Sequence, residues 1–178
     1  MSQIRRLAVF CGSNPGARPE YAQAARSLGK LLASRGVGIV YGGSNVGLMQ
    51  ALADAVLDEL GDIIGVIPQM LVAREVANEA LTDLRIVDSM HDRKALMAEL
   101  ADGFVALPGG IGTLEEFFEI WTWAQLGMHD KPCGLLNVAG YFDPLLDFLD
   151  RAVAETMAIY RQVLSSAPSP RSRAATAP

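Results

Sequence analysis

The stretch LPGGIGTLEEF, Leu107 to Phe117, sets Gly109, Gly110 and Gly112 within four positions and follows them with the adjacent acids Glu115 and Glu116. Glycines bunched after an apolar run let backbone N–H groups approach an anion closely. A helix starting there adds the partial positive charge of its N-terminus. The three glycines are read as such a cradle, with Thr113 at the helix start as a cap or hydroxyl donor. The acids call for a second explanation. An acid in the first helical turn complements the helix dipole by a few tenths to about 1 kcal/mol. A carboxylate beside a bound phosphate is repelled by it, so one aimed into the pocket needs a chemical task. General base catalysis or stabilisation of an oxocarbenium-like sugar is such a task, and Glu115, Glu116 and Glu119 are the candidates. Their basic counterpart lies upstream in SMHDRKALMAEL, where Arg93 and Lys94 fall one turn into a helix.

Two more glycine turns follow apolar runs: CGSNPG, with Gly12 and Ser13, and YGGSNVG, with Gly42 and Gly43. A single glycine turn is explained by tight chain reversal. Three in one small domain point to a shared nucleotide or phosphate pocket at the strand ends. None of the turns spells the dinucleotide pattern G-x-G-x-x-G, and no G-K-[ST] follows, which weakens a nicotinamide-dependent oxidoreductase. His91 and His129 are isolated, so no metal site is expected. Cys11 and Cys133 lie in apolar runs without ligand spacing and are read as buried, reduced thiols. Trp121 and Trp123 are read as core or interface residues.

Placing these residues requires strands that end in the glycine turns. The chain of 178 residues is read as one domain with a full core. Its net charge of −5 and the lack of a basic stripe argue against nucleic acid as a partner. No run is long enough to span a membrane. MSQIRRLAVFCGS reads as a first strand rather than a signal peptide, and the two reduced thiols set the expectation of a cytoplasmic location. Apolar strands are expected at RLAVFCGS, VGIVYGGSN, DIIGVIP, LRIVDS, GFVALPGG and KPCGLLNV, alternating with helical patterns. Such alternation implies a parallel sheet covered on both faces, a doubly wound, Rossmann-like α/β domain. The pattern breaks in QMLVAREVANEALTD, which reads as irregular chain or a short helix of functional interest. The domain is placed at residues 1–157. The divergent segment 158–178, ending in the Pro/Ser/Ala/Arg-rich stretch SSAPSPRSRAATAP, is expected to be a disordered tail.

PGGIGTLEE resembles the PGGxGTxxE motif of the LONELY GUY family of cytokinin-activating phosphoribohydrolases. MHDRK, VYGGSNVGLM, GVIPQML, TWAQLGMHDKPCGLLN and VFCGS resemble that family in the same order. The resemblance covers about Leu7 to Ala154, and the chain departs from the family pattern after about Met157. It implies hydrolysis of the N-glycosidic bond of N6-substituted adenosine 5′-monophosphates, without metal or organic cofactor, by a homodimer. By the motif match Arg93 and Glu116 are the catalytic pair. Glu75, Lys94, Gly110, Ile111, Gly112, Thr113, Leu114, Glu115 and Thr122 would line the substrate site, beside the glycine turns already named. Members were formerly labelled lysine decarboxylases, but no residue pattern here suggests a pyridoxal-phosphate lysine. The alternatives are an enzyme that cleaves plain AMP and a non-catalytic nucleotide-sensing module. The second needs the cradle but not the acid.

Overall fold

A computed structural model of the chain describes residues 4–72, 77–81, 83–155 and 164–165. The six anticipated strands are present: β1 Arg6–Phe10, β2 Gly38–Tyr41, β3 Ile63–Pro68, β4 Asp83–Val87, β5 Gly103–Ala106 and β6 Cys133–Leu135. All pair in parallel, in the order β4-β3-β2-β1-β5-β6. The helices between them are α1 Pro19–Ser34, α2 Gly47–Asp58, α3 Gln69–Val72, α4 Met90–Leu100, α5 Ile111–Gln125 and α6 Asp143–Ala154. The reading of a doubly wound α/β domain is met.

Strand alternation sorts the core into two layers. Ala8 and Phe10 of β1 pack with Met97, Phe117, Ile120 and Trp121 on the α4–α5–α6 face. Val9 and Cys11 pack with Ala25, Leu48, Leu52 and Val56 on the α1–α2 face. Strands buried on both faces are what their unbroken apolar runs require. Trp121 belongs to this core, and Trp123 lies part-buried with its ring 6.2 Å from that of His91. Both cysteines are free and buried. Burial raises the Cys133 thiol to about 11, and it raises Cys11 as well, with the nearby Glu116 charge adding to the effect.

Strand order reverses between β1 and β5, and the crevice at such a point is where open α/β sheets bind ligands. The turns that leave these two strands touch there. Leu107 donates its N–H to Phe10 O, and Gly12 donates its own to Pro108 O at 3.1 Å.

The break after β3 begins as the short helix α3, one of the two readings the sequence allowed. One further element was not anticipated. A two-residue strand, β7 Leu164–Ser165, pairs with β6 inside the segment expected to be tail. Pairing of this kind depends on the open edge of β6, which the composition of 158–178 does not reveal. The rest of that segment lies outside the described residues.

Candidate active site

Helix α4 starts at Ser89, whose hydroxyl accepts the Asp92 N–H at 3.1 Å. That start sets Arg93 and Lys94 on the side facing the strand ends and α5, and both are buried. Arg93 donates through Nη2 to Gly42 O at 3.3 Å, and the same nitrogen lies 3.6 Å from Glu116 Oε1. The two side chains are 6% and 10% exposed, so the pair is removed from bulk solvent. Lys94 contacts Glu115 Oε1 and Glu119 Oε2 together. Burial pulls its ammonium down, but the hydrogen bonds to Glu115 and Glu119 outweigh it, and its pKa is raised. His91 adds a looser contact to Glu119 at 3.9 Å.

Glycine at position 42 is required by this arrangement. A Cβ there would sit 2.1 Å from Arg93 Nη2. Gly109 is required as well, because its Cβ would meet Thr113 Oγ1 at 2.1 Å and Gly12 N at 2.9 Å. Gly110 and Gly112 are different. A Cβ at either meets nothing within 4 Å, and neither has a positive φ. The fold places no demand for glycine at these two positions, and glycine there leaves the backbone open to close approach.

Helix α5 begins with Gly110 as N-cap, and its first backbone bond is donated by Leu114 to Gly110 O. The N–H groups of Ile111, Gly112 and Thr113 therefore precede the intrahelical ladder and are positioned for an anion. Ile111 and Gly112 are exposed, whereas Thr113 is buried. The cap role assigned to Thr113 is not realised. It is the third helical residue, and its hydroxyl packs against Gly109. Gly12 likewise has its N–H committed to Pro108 O and its carbonyl to Leu48 N, so it joins two turns, while Ser13 beside it is exposed. Gly43 O accepts the Asn78 N–H at 2.9 Å, and Ser44 bridges to Ala77.

The structure thus brings Gly42, Arg93, Lys94, Glu115 and Glu116 together beside the α5 start, with Leu114 part-buried in the same turn. Thr122 is not drawn into that cluster by any described contact. It lies on an exposed part of α5 and bonds Phe118 O at 2.7 Å. Glu75 lies outside the described residues. Sequence reasoning did not single out Tyr141, whose hydroxyl donates to Gly109 O at 2.7 Å. Nor did it foresee that Glu119 shares Lys94 with Glu115. Among the described residues no group of three or more His, Cys, Asp and Glu side chains comes together as a metal site. No helix among them is long and apolar enough to cross a membrane.

A family model described as "Possible lysine decarboxylase" matches residues 49–172. The chain is 51% identical over 172 residues to the cytokinin riboside 5′-monophosphate phosphoribohydrolase LOG of Oryza sativa subsp. japonica, covering 96% of this chain and 71% of that protein. The chain belongs to the LOG family. A second member, cytokinin riboside 5′-monophosphate phosphoribohydrolase LOG3 of Arabidopsis thaliana, is 50% identical over 170 residues, 94% of this chain and 79% of that protein. The LOG match extends past the boundary expected near Met157, since the family model reaches residue 172. Among solved structures, the molybdenum cofactor binding protein from Rippkaea orientalis superposes with a TM-score of 0.67 at 24% identity, covering 98% of this chain and 96% of that one. That likeness shows the fold alone.

Proposed function

We propose that this LOG family member is a phosphoribohydrolase that cleaves the N-glycosidic bond of N6-substituted adenosine 5′-monophosphates. Water adds to C1′ of the ribose, the bond from C1′ to N9 breaks, and the base leaves with a proton. The products are a free cytokinin base and ribose 5-phosphate. One observation carries the reading: a buried Arg93–Glu116 pair beside a helix start whose Gly110 and Gly112 face open space. A phosphate on that helix start is favoured by the N–H groups and the dipole despite the protein's negative charge.

In this reading Glu116 activates the water or faces the positive charge that develops on the sugar carbon. Arg93, anchored on Gly42 O, orients the nucleotide or supports the departing base. Lys94 braces α4 against α5 through Glu115 and Glu119. We infer a homodimer in the cytoplasm, with a small-molecule nucleotide as the ligand rather than nucleic acid or a membrane. Lysine decarboxylation does not suit these residues. A Schiff-base lysine needs a depressed pKa. Lys94, the buried lysine among the described residues, is held by two carboxylates that raise it.

The test is release of free base from isopentenyladenosine monophosphate, from AMP and from isopentenyladenosine. A kcat/KM for the first at least about a thousandfold above that for the riboside is expected, because two or three charge-assisted bonds to phosphate are each worth about 1.5–3 kcal/mol. Equal rates on monophosphate and riboside would sink the phosphate cradle. Equal rates on AMP would make the enzyme a general purine nucleotide hydrolase.

A further inference from the structure

Tyr141 lies 32 positions from the glycine turn in sequence, yet its hydroxyl is 2.7 Å from Gly109 O. The segment that carries it is held from several sides. Asn137 Oδ1 accepts the Phe142 N–H and its Nδ2 donates to Asp143 Oδ1, both at 2.7 Å. Arg18 Nη1 donates to Ala139 O at 3.2 Å. Ala139 is left-handed at φ 52°, followed by Gly140 at φ 74°. A non-glycine residue in that region costs of order 1–3 kcal/mol and persists only where its surroundings over-determine it. The Tyr141 ring meets Tyr21 edge-on at 5.6 Å and Phe142 at 5.1 Å. A strained, clamped turn thus delivers one exposed phenol onto one backbone carbonyl.

That carbonyl belongs to the peptide linking Gly109 to Gly110. The peptide is planar and trans, so its N–H points away from its carbonyl. Between two glycines such a peptide rotates with little steric resistance. We propose that Tyr141 is a positioning residue that locks the Gly109–Gly110 peptide in the orientation the phosphate of the substrate requires. This deepens the phosphoribohydrolase reading and rests on it. Tyr141 acts through the backbone and needs no contact with the reacting atoms.

Tyr141→Phe removes the hydroxyl and keeps the ring contacts. The measurement is kcat and KM on isopentenyladenosine monophosphate and on the matching riboside, together with calorimetric Kd for ribose 5-phosphate. KM for the monophosphate and Kd for ribose 5-phosphate should each rise about three- to tenfold, the size of one net hydrogen bond. The preference for monophosphate over riboside should shrink by the same factor, with kcat changed less than about twofold. An equal loss on both substrates would make the residue merely structural and overturn the proposal, as would unchanged KM and Kd. Failure of the wild type to bind ribose 5-phosphate would overturn it too. If the wild type hydrolyses neither nucleotide but Tyr141→Phe still weakens ribose 5-phosphate binding, the function reading fails and the role of Tyr141 stands.

Discussion

Arg93 and Lys94 are neighbours on α4, both buried and both opposite acids on α5, yet they make different ion pairs. Lys94 contacts two carboxylates at once, one of them, Glu115, half exposed. Arg93 stands 3.6 Å from Glu116, beyond good hydrogen-bonding distance, and bonds a backbone carbonyl of β2's turn instead. Lys94 serves helix packing: its charge is matched locally and close to the surface. The Arg93–Glu116 pair is poorly suited to that purpose, because two charges out of water gain net stability only with excellent geometry. A buried pair of opposite charges at the crevice where the sheet reverses lies where open α/β sheets bind ligands, which makes it the candidate for chemistry rather than for packing.

The comparison breaks first at Glu116. Glu116→Gln keeps the shape and an acceptor oxygen for Arg93 but removes the charge. Turnover should fall about a thousandfold, inside the hundred- to ten-thousandfold range of acid–base groups, while the melting temperature drops only a few degrees. Turnover near that of the wild type would show that the buried pair is structural. Gly42→Ala attacks the other end of the same arrangement. The added Cβ would lie 2.1 Å from Arg93 Nη2 and 2.9 Å from Met49 Sδ, so the guanidinium must move. A displacement of about 1 Å in a positioning group can cost about a hundredfold, and that loss in kcat/KM is expected. Unchanged kinetics would mean that Arg93 does not need its seat on Gly42.

Those two residues also mark what the sequence makes legible. Strands, helices and the glycine turns follow from local pattern, and parallel order follows from apolar runs alternating with helices. The pairing of Arg93 with Glu116 was legible through the motif resemblance, whereas Gly42 showed only as part of a glycine turn. Its use as the seat of Arg93 depends on a contact across 51 positions, which no local pattern encodes. Tyr141 was invisible for the same reason: a tyrosine near a helix start has no periodicity to betray it. Thr113 misled in the opposite sense. Its residue type suits a cap, but the helix is capped three positions earlier, at Gly110. Within the segment read as tail, the two-residue β7 was not legible from composition, because it adds to an open sheet edge by backbone bonding.

Glu115 sharpens the contrast from the Lys94 side. Glu115→Gln leaves Lys94 its second acid, Glu119, and removes a carboxylate that is 50% exposed. Exposed ion pairs are worth about 0–1 kcal/mol, so kcat/KM should change by no more than about threefold and melting by about 2 °C. A loss approaching that of Glu116→Gln would move the chemistry, or part of it, onto the adjacent glutamate.

The smallest effect is a pH dependence confined to the Lys94 clamp. Lys94 is raised above its ordinary value of 10.5, with the bonds to Glu115 and Glu119 outweighing burial. A group whose pKa is higher folded than unfolded stabilises the fold fully below the unfolded value. That contribution disappears as pH rises through the folded value. Lys94→Met lacks it at every pH. The gap in melting temperature between wild type and Lys94→Met should therefore be widest below about pH 10 and should narrow by a few degrees as pH climbs past 10.5. Contributions from the other ionisable groups are common to both proteins and cancel in the difference. Exposure of Glu115 to solvent keeps the effect small. A gap that stays constant through this range would show that the two carboxylates do not hold Lys94 charged. The division of labour between the neighbouring cations would then rest on Arg93 alone.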